Sequence, residues 1–134
     1  MKEIMQRAKK LLNSLENTSL VVINCGKIYT SDKKGIKPVL ELTERLKNAT
    51  VADKVIGGAA AFLFVRGCVS DVYGEIMSEK AAWVLNRAGI SYSYGTLVPY
   101  IKNRTGDGMC PLERLCLGLD TPTEAYDAIT LFFQ

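Results

Sequence analysis

The stretch Val69-Ser70-Asp71-Val72-Tyr73-Gly74-Glu75-Ile76-Met77-Ser78-Glu79-Lys80-Ala81-Ala82-Trp83-Val84-Leu85-Asn86-Arg87-Ala88-Gly89-Ile90-Ser91-Tyr92-Ser93-Tyr94 decides the fold. Its first part is rich in β-branched and aromatic residues and reads as a strand. Ser78 stands at an N-cap position before a helix carrying Ala81, Ala82, Val84 and Leu85. Gly89 closes that helix. Ile90, Tyr92 and Tyr94 then share one face of a second strand. A strand, a helix and a strand in this order predict a parallel crossover, right-handed by the usual rule.

Outward from this unit, the periodicity predicts more of the same. Ile4, Ala8, Leu11, Leu12 and Leu15 recur at helical spacing. Leu20-Val21-Val22-Ile23 reads as a buried strand, Cys25-Gly26 as a turn, and Lys27-Ile28-Tyr29-Thr30 as the returning strand of a hairpin. Pro38 fits the start of a helix bearing Val39, Leu40, Leu42 and Leu46. Thr50 and Asp53 have capping-box spacing, which predicts a helix from there through Val55, Ile56, Ala59, Ala60, Phe62 and Leu63. Leu97 to Ile101 fits either a strand or a helical turn. Asn103 to Gly108 is a loop, Pro111 a helix start, and Thr121-Pro122-Thr123-Glu124 a second capping box opening the last helix. The expected fold class is a three-layer α/β/α sandwich with a mixed sheet, in one domain over residues 1–134.

Bulk properties narrow the function. The 134 residues carry a formal charge of +3, too small to argue for nucleic acid, and no long basic block. Lys9-Lys10 and Lys33-Lys34 read as solvated pairs. The first residues have no apolar core of a signal peptide, and Val55 to Val65 is too short to span a bilayer. The four cysteines are scattered, never in a CxxC pair, and the chain has no histidine. We expect a soluble, cytoplasmic protein with reduced thiols, no membrane partner and no cofactor.

In sheets of this kind, ligands sit at the C-terminal ends of strands, against helix N-termini. That rule points to Thr50–Lys54 and Met77–Lys80. Asp53 and Lys54 offer a carboxylate and an ammonium to a polar ligand; alternatively Asp53 only caps its helix. Ser78 and Glu79 offer a hydroxyl and a carboxylate, or a plain cap. Asn103 and Arg104 suit an anion, because a guanidinium presents a fork of donors. Cys110, before Pro111 at a helix start, is a candidate nucleophile or a small buried hydrophobe. Gly57-Gly58 signals a close approach or tight helix packing. Tyr92, Tyr94 and Tyr100 are a base-stacking group or cross-strand packing.

Val51-Ala52-Asp53-Lys54-Val55-Ile56-Gly57, Gly89 to Tyr94, Leu97 to Ile101, Asn103-Arg104 and Met109 to Glu113 resemble an uncharacterised domain-of-unknown-function family within the cytidine deaminase-like superfamily. The resemblance runs over nearly the whole chain. It implies a fold whose deaminases hold zinc with a His (or Cys), Ala, Glu triplet at one helix start and Pro-Cys-x-x-Cys at the next. Carried across, Val51 stands at the His, Ala52 at the Ala, Asp53 at the Glu, and Ser78 and Ala81 at the cysteines. None supplies an imidazole or a thiolate, so the resemblance implies the scaffold without metal. The expected function is binding of a small nucleotide-like ligand by Asp53, Lys54, Ser78, Glu79, Asn103 and Arg104. The alternatives are a metal-independent enzyme using Asp53 and Cys110, and a structural module. A homo-oligomer is expected to be possible.

Overall fold

A computed structural model describes residues 2–134. The mixed sheet has five strands in the order β2-β1-β3-β4-β5. They are β1 (Leu20–Asn24), β2 (Lys27–Ser31), β3 (Thr50–Ile56), β4 (Asp71–Ser78) and β5 (Ser91–Val98). β1 runs antiparallel to both β2 and β3, whereas β3, β4 and β5 are parallel. The hairpin loop is Cys25-Gly26, both at positive φ (51° and 78°), as the primed two-residue turns that match strand twist require.

Helices cover both faces. On one, α1 (Lys2–Ser14) lays Met5, Ala8 and Leu12 onto Val21, Ile23, Ala52 and Tyr73. On the other lie α2 (Lys37–Glu41), α3 (Gly58–Arg66), α4 (Glu79–Arg87), α5 (Pro111–Cys116) and α6 (Pro122–Phe132), around a core that includes Phe62, Phe64, Leu85 and Ile129. α3 is apolar nearly all round and is buried from Gly58 to Phe64. This is the three-layer α/β architecture expected from the sequence.

One expectation fails in an instructive way. Thr50 to Ile56 is the central strand β3, not the first turns of a helix, and α3 starts only at Gly58. The Thr50–Asp53 spacing mimics a capping box, but Thr-Val-Ala-Asp-Lys-Val-Ile is wedged between β1 and β4. There tertiary pairing overrides local signals, and a strand buried on both faces shows no clean alternation. Asp53 therefore caps nothing. It sits in the ladder, opposite Leu20 on β1 and Gly74 on β4.

The alternation of side chains also breaks in β3 and β4. Val51 and Ile56 are an odd number of residues apart, yet both belong to the α3-side core, as do Val72 and Met77. The β3–β4 ladder skips Lys54 and Glu75, where the break falls. The switch turns Val55 and Ile76 out to solvent, at 43% and 39% exposure.

Candidate functional site

A cavity of about 1210 Å³ opens beside the C-terminal end of β3. Its walls come from residues 17–20 and the 32–36 connector, from the β3–α3 junction, and from the 101–113 segment. Ser19 fixes the connector: its hydroxyl donates to the Ser31 carbonyl at 3.1 Å, and its own carbonyl accepts the Lys54 amide at 3.0 Å. The volume is somewhat above the roughly 300–1,000 Å³ of ordinary small-molecule sites.

Asp53 lies on this wall with 8% of its surface exposed. Among the described residues no cation pairs with it. Burial pushes its carboxyl up to about 8, although the backbone amides of Val55 and Lys54 pull the other way. Lys54 lines the cavity too, but its ammonium lies 3.7 Å from the Glu75 carboxylate, so it is only partly available. That pair is half-exposed and contributes little stability.

Arg104 and Asn103 also line the cavity, with Lys102. The Asn103 side chain is committed to its own turn. Its Oδ1 accepts the Gly106 amide at 2.8 Å, and its Nδ2 donates to Asp107 at 3.1 Å. Hydrogen bonds from Thr105, then Asn103, hold the Asp107 carboxyl below its usual range. Asn103 thus shapes the loop, and Arg104 is left exposed, without an ion pair among the described residues. Lys34 and Lys102 are likewise exposed and unpaired among these residues, whereas Lys33 binds Glu41 at 3.3 Å. Cys110 is half-buried and lines the same cavity.

The structure thus brings Asp53, Lys54, Asn103, Arg104 and Cys110 together, and leaves Ser78 and Glu79 out. Ser78 is fully buried, and its hydroxyl accepts the Ala81 amide at 3.1 Å. It is a helix cap and has no free face. Glu79 is solvent-exposed at the first turn of α4. Tyr92 packs on the core, and Tyr94 and Tyr100 are exposed; none of the three lines the cavity.

The converging starts of α3 and α4 are filled by protein. A Cβ on Gly58 would stand 2.9 Å from Lys80 Cγ and 3.4 Å from Cys116 Cβ. Lys80 donates to the Leu117 and Leu119 carbonyls at 3.2 and 2.8 Å, capping the end of α5. The Cys116 thiol is fully buried and pushed up to about 11, first by burial and then by the Glu113 charge. Among the described residues no three Cys, Asp or Glu side chains form a group that could hold a metal ion. Val51 and Ala52 are buried in mid-strand, and Ser78 and Ala81 form a cap. These donors do not fit a zinc ion, whose catalytic sites take three protein ligands.

Glu113 is the residue that sequence reading missed. It is 2% exposed, and its two oxygens each accept a backbone N–H at 2.7 Å, from Gly58 and from Ile101. It ties α5 and the 101–113 segment to the first turn of α3, where an anion is favoured by the free N–H groups and the helix dipole. The Gly57-Gly58 pair is explained by this approach: a Cβ on Gly57 would meet Glu113 Oε1 at 3.2 Å and Ile101 Cγ1 at 3.1 Å. The available signal was a helix start with no acidic residue in its own first turn.

A five-stranded mixed α/β domain with a basic-rimmed cavity at the β3–α3 junction defines the class. The chain belongs to the family described as domain of unknown function DUF1893, whose model matches residues 7–133. It is similar to the crystal structure of a DUF1893 family protein from Thermotoga maritima, with 30% identity and a TM-score of 0.91 over 99% of this chain and 92% of that one. It is also 31% identical over 131 residues to the ribosomal protein uS12 methylthiotransferase RimO of Syntrophomonas wolfei subsp. wolfei. The match covers 93% of this chain and 26% of that protein, so the chain spans about a quarter of the length of this curated relative. A RibD structure from Acinetobacter baumannii matches at 19% identity and a TM-score of 0.47, over 70% of this chain and 33% of that one. Among the described residues no helix is long and apolar enough to cross a membrane.

Proposed function

We propose that this chain is a zinc-independent binding module, one domain with a cytidine deaminase-like scaffold, whose cavity takes a small anionic, nucleotide-like ligand. The observation that carries this reading is Asp53, a nine-tenths-buried carboxyl on a cavity wall with no cation to pair with it among the described residues. Backbone amides of Val55 and Lys54 meet this carboxyl, but no cation among the described residues offsets its burial. Its proton, held to about pH 8, makes it a donor to a neutral polar edge of a ligand. Arg104, Lys34 and Lys102 supply positive charge on the exposed side, with the Arg104 fork suited to phosphate. Ser78 and Glu79 have no part in this site. The partner is a small molecule rather than nucleic acid or membrane, in a cytoplasmic, reducing setting.

The counterpart of this chain makes up 26% of a larger protein named as a methylthiotransferase. A module carried inside a larger protein suits an accessory binding role. A second reading, a metal-independent enzyme, is favoured by the same Asp53. A carboxyl near 8 is close to the value a general acid or base needs at neutral pH. Cys110 lines the same cavity as a candidate nucleophile.

Native mass spectrometry of the purified protein, before and after unfolding, tests the proposal. Excess mass in the nucleotide range that is lost on unfolding supports the binding module. Excess mass that survives unfolding marks a covalent adduct and favours the enzyme. A zinc-sized excess overturns both readings. A bare mass, with no uptake from a nucleotide panel, leaves a structural module without a ligand.

A further inference from the structure

β5 is an unprotected sheet edge. Its eight residues pair only with β4, and among the described residues Ser91–Val98 makes no backbone hydrogen bond outside that ladder. A row of N–H and C=O groups is therefore left to solvent. Natural edges are normally short, charged, proline-bearing or covered. β5 has no charged residue and no proline. The opposite edge, β2, is five residues long and carries the exposed Lys27.

The surface beside β5 is apolar. Tyr94 and Leu97 are 43% and 41% exposed. The ladder sets Tyr94 opposite Gly74, Thr96 opposite Ile76, and Ile76 opposite Val55. The break in alternation turns Val55 and Ile76 outward, beyond the residues that α1 covers. Val55 and Ile76 stand on the α1 face, level with Thr96, whereas Tyr94 and Leu97, level with Gly74 and Met77, stand on the opposite face, so exposed apolar side chains flank the β5 edge on both faces.

We propose that β5 pairs with β5 of a second copy of this chain, antiparallel about a two-fold axis, to give one continuous sheet. An added strand pairs such a row of backbone donors and acceptors in register. A second copy fits because two-fold pairing sets a strand against itself, and a strand without charges opposes no like charges. Tyr94 and Leu97 on one face and Ile76 on the other flank the paired edge, each about two-fifths exposed. A ladder about 27 Å long adds its flanks. A contact of one ladder and these flanks belongs with the small, weak interfaces, below about 600 Å² per partner. This inference is independent of the cavity reading.

Sedimentation of the full chain from about 1 to about 100 μM is expected to show a monomer–dimer equilibrium. The double variant Tyr94→Lys, Leu97→Lys is expected to weaken association at least tenfold. Ile28→Lys on β2 is expected to leave it unchanged. A wild-type chain that stays monomeric throughout overturns the proposal. So does a folded double variant that associates as the wild type does, or loss of association in Ile28→Lys alone. Should the double variant fail to fold, hydrogen exchange of the wild type decides. Protection of 91–98 that rises with protein concentration supports the interface, and protection independent of concentration overturns it.

Discussion

Glu113 Oε1 accepts the Gly58 amide at 2.7 Å, joining α5 to the first turn of α3 across 55 residues of chain. With Ile101 held by the other oxygen, one buried carboxylate fixes both the start of a core helix and a wall of the cavity. Hydrogen bonds to a charged acceptor contribute about 1.5–3 kcal/mol each. Glu113→Gln keeps the shape but turns one acceptor into a donor that faces an N–H. It is expected to lower stability by about 2–4 kcal/mol, read by urea unfolding. A loss below about 0.5 kcal/mol would show that the clasp is not formed.

Gly57 tests the same contact from the other side. A methyl there would press on Glu113 Oε1 and Ile101 Cγ1, both within 3.2 Å. Glu113 is pinned and cannot give. Gly57→Ala is expected to destabilise by about 1–3 kcal/mol, also by urea unfolding, and to add less when Glu113 is already Gln. Additive losses would separate the two sites.

Asp53 sets a pH dependence. Its folded value is raised from 3.8 to about 8, so the native state binds the proton more tightly than the unfolded chain does. This contribution is fully present below about pH 4 and is lost as pH rises through about 8. Asp53→Asn cannot ionise. It is expected to flatten the pH dependence of stability and to exceed the wild type by about 2 kcal/mol or more at pH 9. Parallel unfolding curves for the two proteins at pH 5 and pH 9 would contradict this.

Ser78 and Arg104 are expected to behave oppositely. Ser78→Ala removes a buried cap and should cost about 1 kcal/mol of stability, with no change in anion binding, because the hydroxyl faces Ala81 and not the cavity. Arg104→Ala should leave thermal stability within about 0.5 kcal/mol and weaken anion binding. The check is a melting curve and a binding isotherm on each variant.

Much of the fold is legible in the sequence, because its signals are local. The β1–β2 hairpin follows from Leu20–Ile23, Cys25-Gly26 and the returning alternation. The caps at Ser78 and Thr121 form as spaced, with Thr121 accepting the Glu124 amide at 3.2 Å. β3 was hidden because a doubly buried central strand followed directly by an apolar helix gives one unbroken apolar run. The site was half legible. Asp53, Lys54, Asn103, Arg104 and Cys110 line one cavity, while Ser78 and Glu79 do not, and the Asn103 side chain is spent on its own loop. Glu113 did not show, since a first-turn glutamate in α5 looks like ordinary dipole compensation. Lys34 and Lys102 reach the cavity only through loop geometry that spacing does not encode.

The most direct measurement is an amide NMR titration of the wild type and Arg104→Ala with a nucleoside monophosphate. Saturable shifts at Gly57, Lys54 and Lys102 in the wild type, weakened at least tenfold in Arg104→Ala, are the expected result. No shifts at these amides, or equal binding by both proteins, would contradict the cavity as the ligand site.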